Sequence, residues 1–393
     1  MLGERGGPSL PPVDGTPASR DVVARQPRSA VGIRDIAQRL GVSVGTVDRA
    51  LHDKPGVNPD TRARVLAAAQ ALSYRPNLAA SYLRSRRSQQ IAVHLPAGDS
   101  LFMQTLRDGI REGAAPFAPS LALEFRTYAS AEEQALLLSP RALSGSAGLI
   151  VVPGSSKAIA ARLEDVAGPT LPIATVVDAV PGRPRLLSVF ADPLSVGALA
   201  GELMARFVPG RGQVAIIGSP TVSRTHAEHV RGFMASLSRL SSRLTLAAVV
   251  DSHVDERETH RRVRELLHAH PRLKGLYIST NDAVPVLRAA GHEGRLVDLV
   301  VVATDLAPEL FPWIRSGKVA ATIYQRPLTQ GQTAVQLLHR YLQTRQLPTP
   351  CRQILAPYVV MSSNLNLMLQ RLDIARAAAL PHELTEAAAA VAG

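Results

Sequence analysis

Residues 33–51 read IRDIAQRLGVSVGTVDRAL. Ile33, Ile36, Ala37 and Leu40 recur at i, i+3, i+4 and i+7, the spacing that lines one face of a short helix, and Gly41 ends it. Ser43 is placed to cap a second helix that carries Val47 and Leu51 inward. Asn58-Pro59, with Asp60 in the first turn, opens a third helix with Val65, Ala69 and Leu72 inward. Two short helices joined by a tight turn, the second capped by a small polar residue, form a helix-turn-helix, and its second helix is able to enter a DNA major groove. The geometry alone is unspecific, because helical hairpins with glycine turns occur in many enzymes.

Charge adds weight. The chain has 44 Lys+Arg against 32 Asp+Glu, a net charge of +12, with 40 Arg to 4 Lys. From Ser29 to Gln90 there are ten Lys/Arg against four Asp/Glu, whereas the 303 residues from Ile91 onward hold 30 against 25. The basicity is concentrated near the N-terminus, as a polyanionic partner requires. With 46% hydrophobic and 19% charged residues the chain has a globular balance, and 393 residues predict two or three domains. A single cysteine, Cys351, excludes an intramolecular disulfide and reads as a small core hydrophobe. No run reaches the roughly 18 apolar residues of a membrane span, and residues 1–28 lack the apolar stretch of a signal peptide. The expectation is a soluble protein of a reducing cytoplasm, without metal or cofactor.

Five segments are expected. Residues 1–28, with five Pro and four Gly, read as a disordered leader. Residues 29–76 form a helix-turn-helix unit, and 77–90 a brief run capped by Asn77 followed by a polar linker. Residues 91–370 make a two-lobed α/β domain, and 371–393 an Ala-rich tail. In the fourth segment short apolar runs alternate with segments of helical period. Strands are predicted at 91–95, 121–128, 148–152, 172–177, 213–217, 244–250, 275–279, 299–303 and 320–324. Helices are predicted at 101–113, 195–207, 225–240, 256–270 and 328–345, among others. Such alternation implies parallel sheets with crossover helices on both faces, and the length suits two open sheets with a cleft beyond the carboxyl ends of their strands.

Together, Ile33-Arg34-Asp35-Ile36-Ala37, Leu40-Gly41-Val42-Ser43, Thr46-Val47, Arg49-Ala50-Leu51, Pro55-Gly56-Val57, Thr61-Arg62-Ala63-Arg64-Val65 and Tyr74-Arg75-Pro76-Asn77 resemble the headpiece of the lactose-repressor (LacI) family. The α/β region resembles that family's regulatory domain, itself similar to periplasmic sugar-binding proteins. The resemblance runs from about Val31 to Asn366. It implies that Val44, Gly45 and Arg49 face base edges. Of these, Arg49 is able to donate bidentate hydrogen bonds to guanine, Val44 meets only a thymine methyl, and Gly45 has no side chain to read with. Ser43 and Thr46 would hold phosphates. Asp48 departs from the usual Ser, which puts the operator sequence in doubt. Asn77 to Leu83 resembles the family's hinge helix. Seven residues do not sustain a helix alone, so two copies would pack over DNA, with Ala80 at the contact and Leu83 as the wedge into the minor groove. Arg84, Arg86 and Arg87 would touch phosphates. The implied partners are a palindromic operator, a small-molecule effector and a second copy of the chain, with tetramers left open.

In the regulatory domain the resemblance places Asp305 as the carboxylate for effector hydroxyls and Gln325 as its partner at the crossover. Asn281, Asp178, Asp192 and Phe102 lie at similar strand ends or loops. His229 stands where many sugar-responsive relatives have Arg, four residues before Phe233, and Arg224 and His226 are available as replacement donors. His226 and His229, three apart, have no evident third metal ligand. The function implied is a sequence-specific transcriptional regulator, a repressor, whose operator affinity depends on a sugar, polyol or sugar derivative. Two alternatives are an enzyme on the same scaffold and a transport binding protein. Against the first, the chain lacks a phosphate-binding Gly-x-x-x-x-Gly-Lys-Ser/Thr loop, a Gly-x-Ser-x-Gly elbow and His-Glu-x-x-His. Against the second stand the missing export signal and the basic headpiece.

Overall fold

The computed structural model describes residues 32–51, 56–72, 88–98, 100–168, 171–180, 186–219, 223–251, 256–280 and 283–371. The leader, the hinge residues Asn77, Ala80, Leu83 and Arg84, Asn281, and the tail beyond Arg371 lie outside the described residues. The chain divides into two units, with the boundary between Arg86 and Arg87.

The first unit contains α1 (Ile33–Leu40), α2 (Val44–Leu51) and α3 (Pro59–Ala71). Gly41 ends α1 at φ +66°, a left-handed conformation that glycine adopts without steric cost, and its N–H donates to the Ala37 carbonyl. Asn58 caps α3 through its side chain, which accepts from the Asp60 N–H at 2.9 Å. Ile36, Ala37, Val47, Ala50, Val65 and Ala68 form the core. Two inward positions shift by one residue from the periodic reading. Ala50 and Ala68 are the buried ones, while Leu51 and Ala69 pack at the margin, because helices this short leave a broad solvated face.

The second unit begins with β1 (Gln89–Pro96), α4 (Leu101–Ala114), β2 (Leu121–Tyr128), α5 (Ala131–Leu137), β3 (Ser146–Val151), α6 (Lys157–Val166), β4 (Ile173–Val176) and β5 (Leu187–Ala191). It continues through α7 (Pro193–Phe207), β6 (Gly212–Gly218), α8 (Arg224–Leu240), β7 (Leu244–Asp251), α9 (Glu256–Ala269), β8 (Leu273–Ile278), α10 (Ala283–His292), β9 (Val300–Thr304), α11 (Phe311–Arg315) and β10 (Ala321–Tyr324). It closes with α12 (Pro327–Thr344), β11 (Arg352–Leu355), β12 (Tyr358–Val360) and α13 (Ser362–Arg371).

Two six-stranded sheets result, ordered β11-β5-β4-β3-β1-β2 in lobe 1 and β12-β10-β9-β8-β6-β7 in lobe 2. All pairings are parallel except β10 with β12. The lobes are not contiguous in sequence. The chain leaves the first sheet after β5, returns after β10 with α12 packed on the first sheet and β11 at its edge, and crosses once more to β12. The central strands β1, β3, β4 and β5 are almost wholly buried, as parallel strands covered by helices on both faces must be. Three strands escape the sequence reading. β5 is a five-residue run, LSVFA, directly before the α7 cap, and β11 and β12 are edge strands of four and three residues, too short to show a period.

Candidate functional site

The opening of α2 is an exposed surface in the first unit. The Ser43 hydroxyl accepts from the Thr46 N–H at 3.0 Å and pairs with the Thr46 hydroxyl at 2.8 Å, so the cap and the first turn hold one another. Val47 and Ala50 point into the core. That leaves Ser43, Val44, Gly45 and Arg49 exposed, with Thr46 half-buried. Val44 is 41% exposed, an apolar side chain turned to solvent where the helix begins. Gly45 meets only the Ser43 hydroxyl near its absent Cβ, so the backbone there is open to close approach.

The second site lies where both sheets present the carboxyl ends of their strands. Phe102 follows β1, Asp178 follows β4 and Asp192 follows β5. Arg224, His226 and His229 follow β6, Asp305 follows β9 and Gln325 follows β10. Side chains that follow β1, β4, β6, β9 and β10 meet between the lobes.

Asp305 is its centre. It is 4% exposed and sits at φ +62°. Its Oδ1 accepts from the Gln325 N–H at 3.0 Å and its Oδ2 from the Gln325 side-chain amide at 2.7 Å. Burial dominates those two bonds and pushes the carboxyl up to about 7. Gln325 continues the network, because its carbonyl accepts from Gln330 Nε2 at 2.9 Å, while Gln330 Oε1 accepts from the Val177 N–H at 2.9 Å. Val177 precedes Asp178 and has φ +71°, costly for a β-branched residue. Asp178 is bonded across the cleft to Arg224, which also donates to the Ala179 carbonyl at 2.8 Å. The Thr225 hydroxyl adds a bond to Asp178 at 3.2 Å. Burial raises the Asp178 carboxyl, with the Arg224 guanidinium acting in the opposite direction. A polar chain thus runs from lobe 2 into lobe 1 and back, and holds the lobes together.

Among the described residues several buried polar atoms in this region have no hydrogen-bond partner: both ring nitrogens of His229, the Thr280 hydroxyl and the Tyr324 hydroxyl. His229 is 1% exposed. Its backbone is pressed against α7, where a Cβ on Gly197 would come within 2.0 Å of the His229 carbonyl oxygen, and this close approach fixes where the ring lies. Burial, reinforced by the neighbouring His226, lowers the imidazole to about 3, so it is neutral. His226 Nδ1 accepts from the Ser219 N–H at 3.3 Å. Burial also keeps the Tyr324 hydroxyl protonated, as a donor. Leu101, Phe102, Thr105, Asp305, Leu306 and Tyr324 line a gap with no room for a water molecule, so the cleft is shut at this point.

Of the residues singled out from sequence, Phe102, Asp305 and Gln325 converge directly, Asp178 and Arg224 form the bridge between lobes, and His229 lies beside Ser279 and His226. Asp192 instead caps α7, its Oδ2 accepting from the Ser195 N–H at 3.0 Å and the Ser195 hydroxyl at 2.6 Å. Tyr324, Thr280 and Gln330 were missed. Gln330 had a usable signal, a polar residue on the inward stripe of a long helix, whereas Tyr324 and Thr280 adjoin recognised positions and carry no pattern of their own. Among the described residues no group of three or more His, Cys, Asp or Glu is arranged to hold a metal ion. No described helix is long and apolar enough to cross a membrane.

A helical headpiece with an exposed second-helix start, followed by two parallel α/β lobes around a polar cleft, defines a DNA-binding regulator with a ligand-binding domain. Residues 32–77 match the bacterial regulatory proteins of the lacI family, and residues 91–346 match a periplasmic binding protein domain. The chain belongs to the lacI family of bacterial transcriptional regulators and carries this binding-protein domain. It is 24% identical over 328 residues to catabolite control protein A of Priestia megaterium, covering 79% of this chain and 97% of that protein. It is 26% identical over 340 residues to the ribose operon repressor of Bacillus subtilis, covering 83% and 96%. Over 63 residues it is 46% identical to the regulator GalS of Salmonella typhimurium, 16% of this chain and 18% of that one. Its fold resembles GanP, a glucose-galactose binding protein from Geobacillus stearothermophilus (TM-score 0.64, 20% identity, 71% of this chain and 99% of that chain). A Bacillus halodurans solute-binding protein with bound myo-inositol is equally similar (TM-score 0.64, 18% identity, 72% and 98%).

Proposed function

We propose that this regulator works in the cytoplasm as a homodimeric repressor on a palindromic operator, and that a neutral polyhydroxylated metabolite, a sugar, polyol or sugar derivative, changes its grip by reversible binding in the cleft without turnover. The observation that carries the reading is Asp305. A buried carboxyl tied to Gln325, with Tyr324 beside it and Thr280 and His229 after neighbouring strands, all three unpartnered among the described residues, is a site short of hydrogen-bond partners, and vicinal hydroxyls supply donors and acceptors together. A neutral His229 and an Asp305 near 7 leave little fixed charge, which suits an uncharged ligand. The names of the ribose operon repressor and of the sugar-binding relatives point the same way. On DNA, Arg49 reads a base edge, Val44 and Gly45 permit close approach, and Ser43 and Thr46 lie against phosphates. Asn77, Ala80, Leu83 and Arg84 are assigned the hinge contacts on sequence register.

The test is retardation of the chain's own upstream promoter fragment. Arg49→Ala is expected to weaken binding about 10- to 100-fold, the value of one bidentate contact. Leu83→Ala is expected to weaken it further by removing the wedge. Undiminished binding by both variants would reject the DNA-reading assignments. A thermal-shift screen of sugars, polyols and sugar acids identifies the effector class, and the shift should vanish in Gln325→Ala.

A further inference from the structure

At the opposite pole of lobe 2, away from the cleft, the loops that enter β6, β7 and β8 surround an open pocket of about 820 Å³. Its lining includes Arg211, Arg243, Arg272, Lys274 and Arg295, with Asp298 as the single carboxylate. The region from Ile91 onward is nearly balanced, 30 Lys/Arg to 25 Asp/Glu, so five to one is a local excess that the chain's general use of arginine does not produce. The cations fall into two layers. Lys274 lies across Gly212 and donates to the Pro209 carbonyl at 3.4 Å. Arg295 donates to the carbonyls of Pro271 and Leu273 at 3.1 and 3.2 Å and approaches Asp298 at 3.7 Å. These two form an oriented floor. Arg211, Arg243 and Arg272 are exposed around them, and their side chains have no hydrogen-bond or ion-pair partner among the described residues.

We propose that this pocket is a second ligand site, for a small polyanion with two or more linked phosphates, of up to mononucleotide size. Like charges gathered in a concavity repel one another and focus a positive potential, and an anion that touches several at once relieves that repulsion. Guanidinium forks match phosphate oxygens in pairs, and three free ones on a rim favour linked phosphates over a single one. The volume falls within the range of small-molecule sites, and the concave shape favours a compact anion over a flat acidic protein face. Pro209, Pro271 and Leu273 supply apolar wall for a base or sugar ring. The site is separate from the effector cleft, because β6 and β8 run between them, seven and six residues long, a span of about 20 Å.

Isothermal titration of the full-length chain at fixed ionic strength tests this, with tripolyphosphate, ATP, inorganic phosphate and poly-L-glutamate as probes. The expected result is saturable binding of tripolyphosphate and ATP, one per chain, at least about tenfold tighter than inorganic phosphate. The triple variant Arg211→Ala, Arg243→Ala, Arg272→Ala should lose at least about tenfold in affinity for both. A charge-matched control, Arg141→Ala, Arg239→Ala, Arg340→Ala, should stay within about twofold, which separates the pocket from general attraction to a basic chain. All six positions are exposed, and an unchanged melting temperature confirms folding. ATP binding more tightly than tripolyphosphate identifies a nucleotide, and equal binding identifies the bare phosphate chain; both support the site. Equal losses in the two triple variants, tripolyphosphate binding no better than phosphate, or poly-L-glutamate competing on equal terms would overturn it.

Discussion

Asp305→Asn separates the cost of burying a carboxyl from everything else that titrates in this fold. Asp305 titrates near 7 in the native chain and near 3.8 when unfolded. Between those values the native state holds the proton and the unfolded state does not, so stability falls as pH rises through the window. About three pH units at about 1.4 kcal/mol each give at most about 4 kcal/mol of destabilisation above pH 7. Asparagine keeps the shape, tolerates the left-handed backbone and can still accept from the Gln325 N–H, but carries no charge. The variant should therefore match or fall slightly below wild type at pH 4 and exceed it increasingly up to pH 8. The comparison must be differential, because the buried imidazoles of His94, His229 and His339 run the other way. His229 is lowered to about 3 and His94 to about 4, mainly by burial, so both contribute stability that is lost as pH falls below the unfolded value of 6.5. Trp313, the single tryptophan, packs against the lobe 2 core that also contains Leu306 and Tyr324, so its fluorescence in urea reports the relevant unit. A variant-minus-wild-type difference that stays flat from pH 4 to 8 would show that Asp305 is not a buried, proton-holding carboxyl.

Two further predictions concern the scaffold. Gly197→Ala should destabilise by about 3 kcal/mol or more, seen as a large drop in melting temperature, because the added Cβ falls 2.0 Å from a backbone oxygen of α8 and the helices must separate. A melting temperature within a degree or two of wild type would mean that α7 and α8 are not so closely packed. Asp178→Ala should loosen the lobes by only about 0.5–1 kcal/mol, since its partner Arg224 is 42% exposed and screened by solvent. Small-angle scattering without effector should then register a larger open fraction, and unchanged curves would count against an interlobe bridge.

The helix-turn-helix and the two-sheet architecture were readable from residue order, because both depend on local rules, whereas the family was read from a resemblance of motifs. The i, i+3, i+4 pattern of Ile33 to Leu40, the caps at Ser43 and Asn58 and the alternation of apolar runs with helical segments need only neighbours along the chain. Phe102, Asp305 and Gln325 were picked out by the resemblance to the family's regulatory domain, not by the alternation. What residue order did not reveal is how these side chains are used. Asp178 and Asp192 are both aspartates after a strand, yet one bridges lobes to Arg224 and the other caps its own helix, a difference set by a partner 46 residues away. Gln330 joins Val177 to Gln325 over a separation of 153 residues, and the five cations at the far pole come from loops scattered between Arg211 and Arg295. Burial and long-range proximity arise only when the two sheets close over their helices, and no local period encodes them.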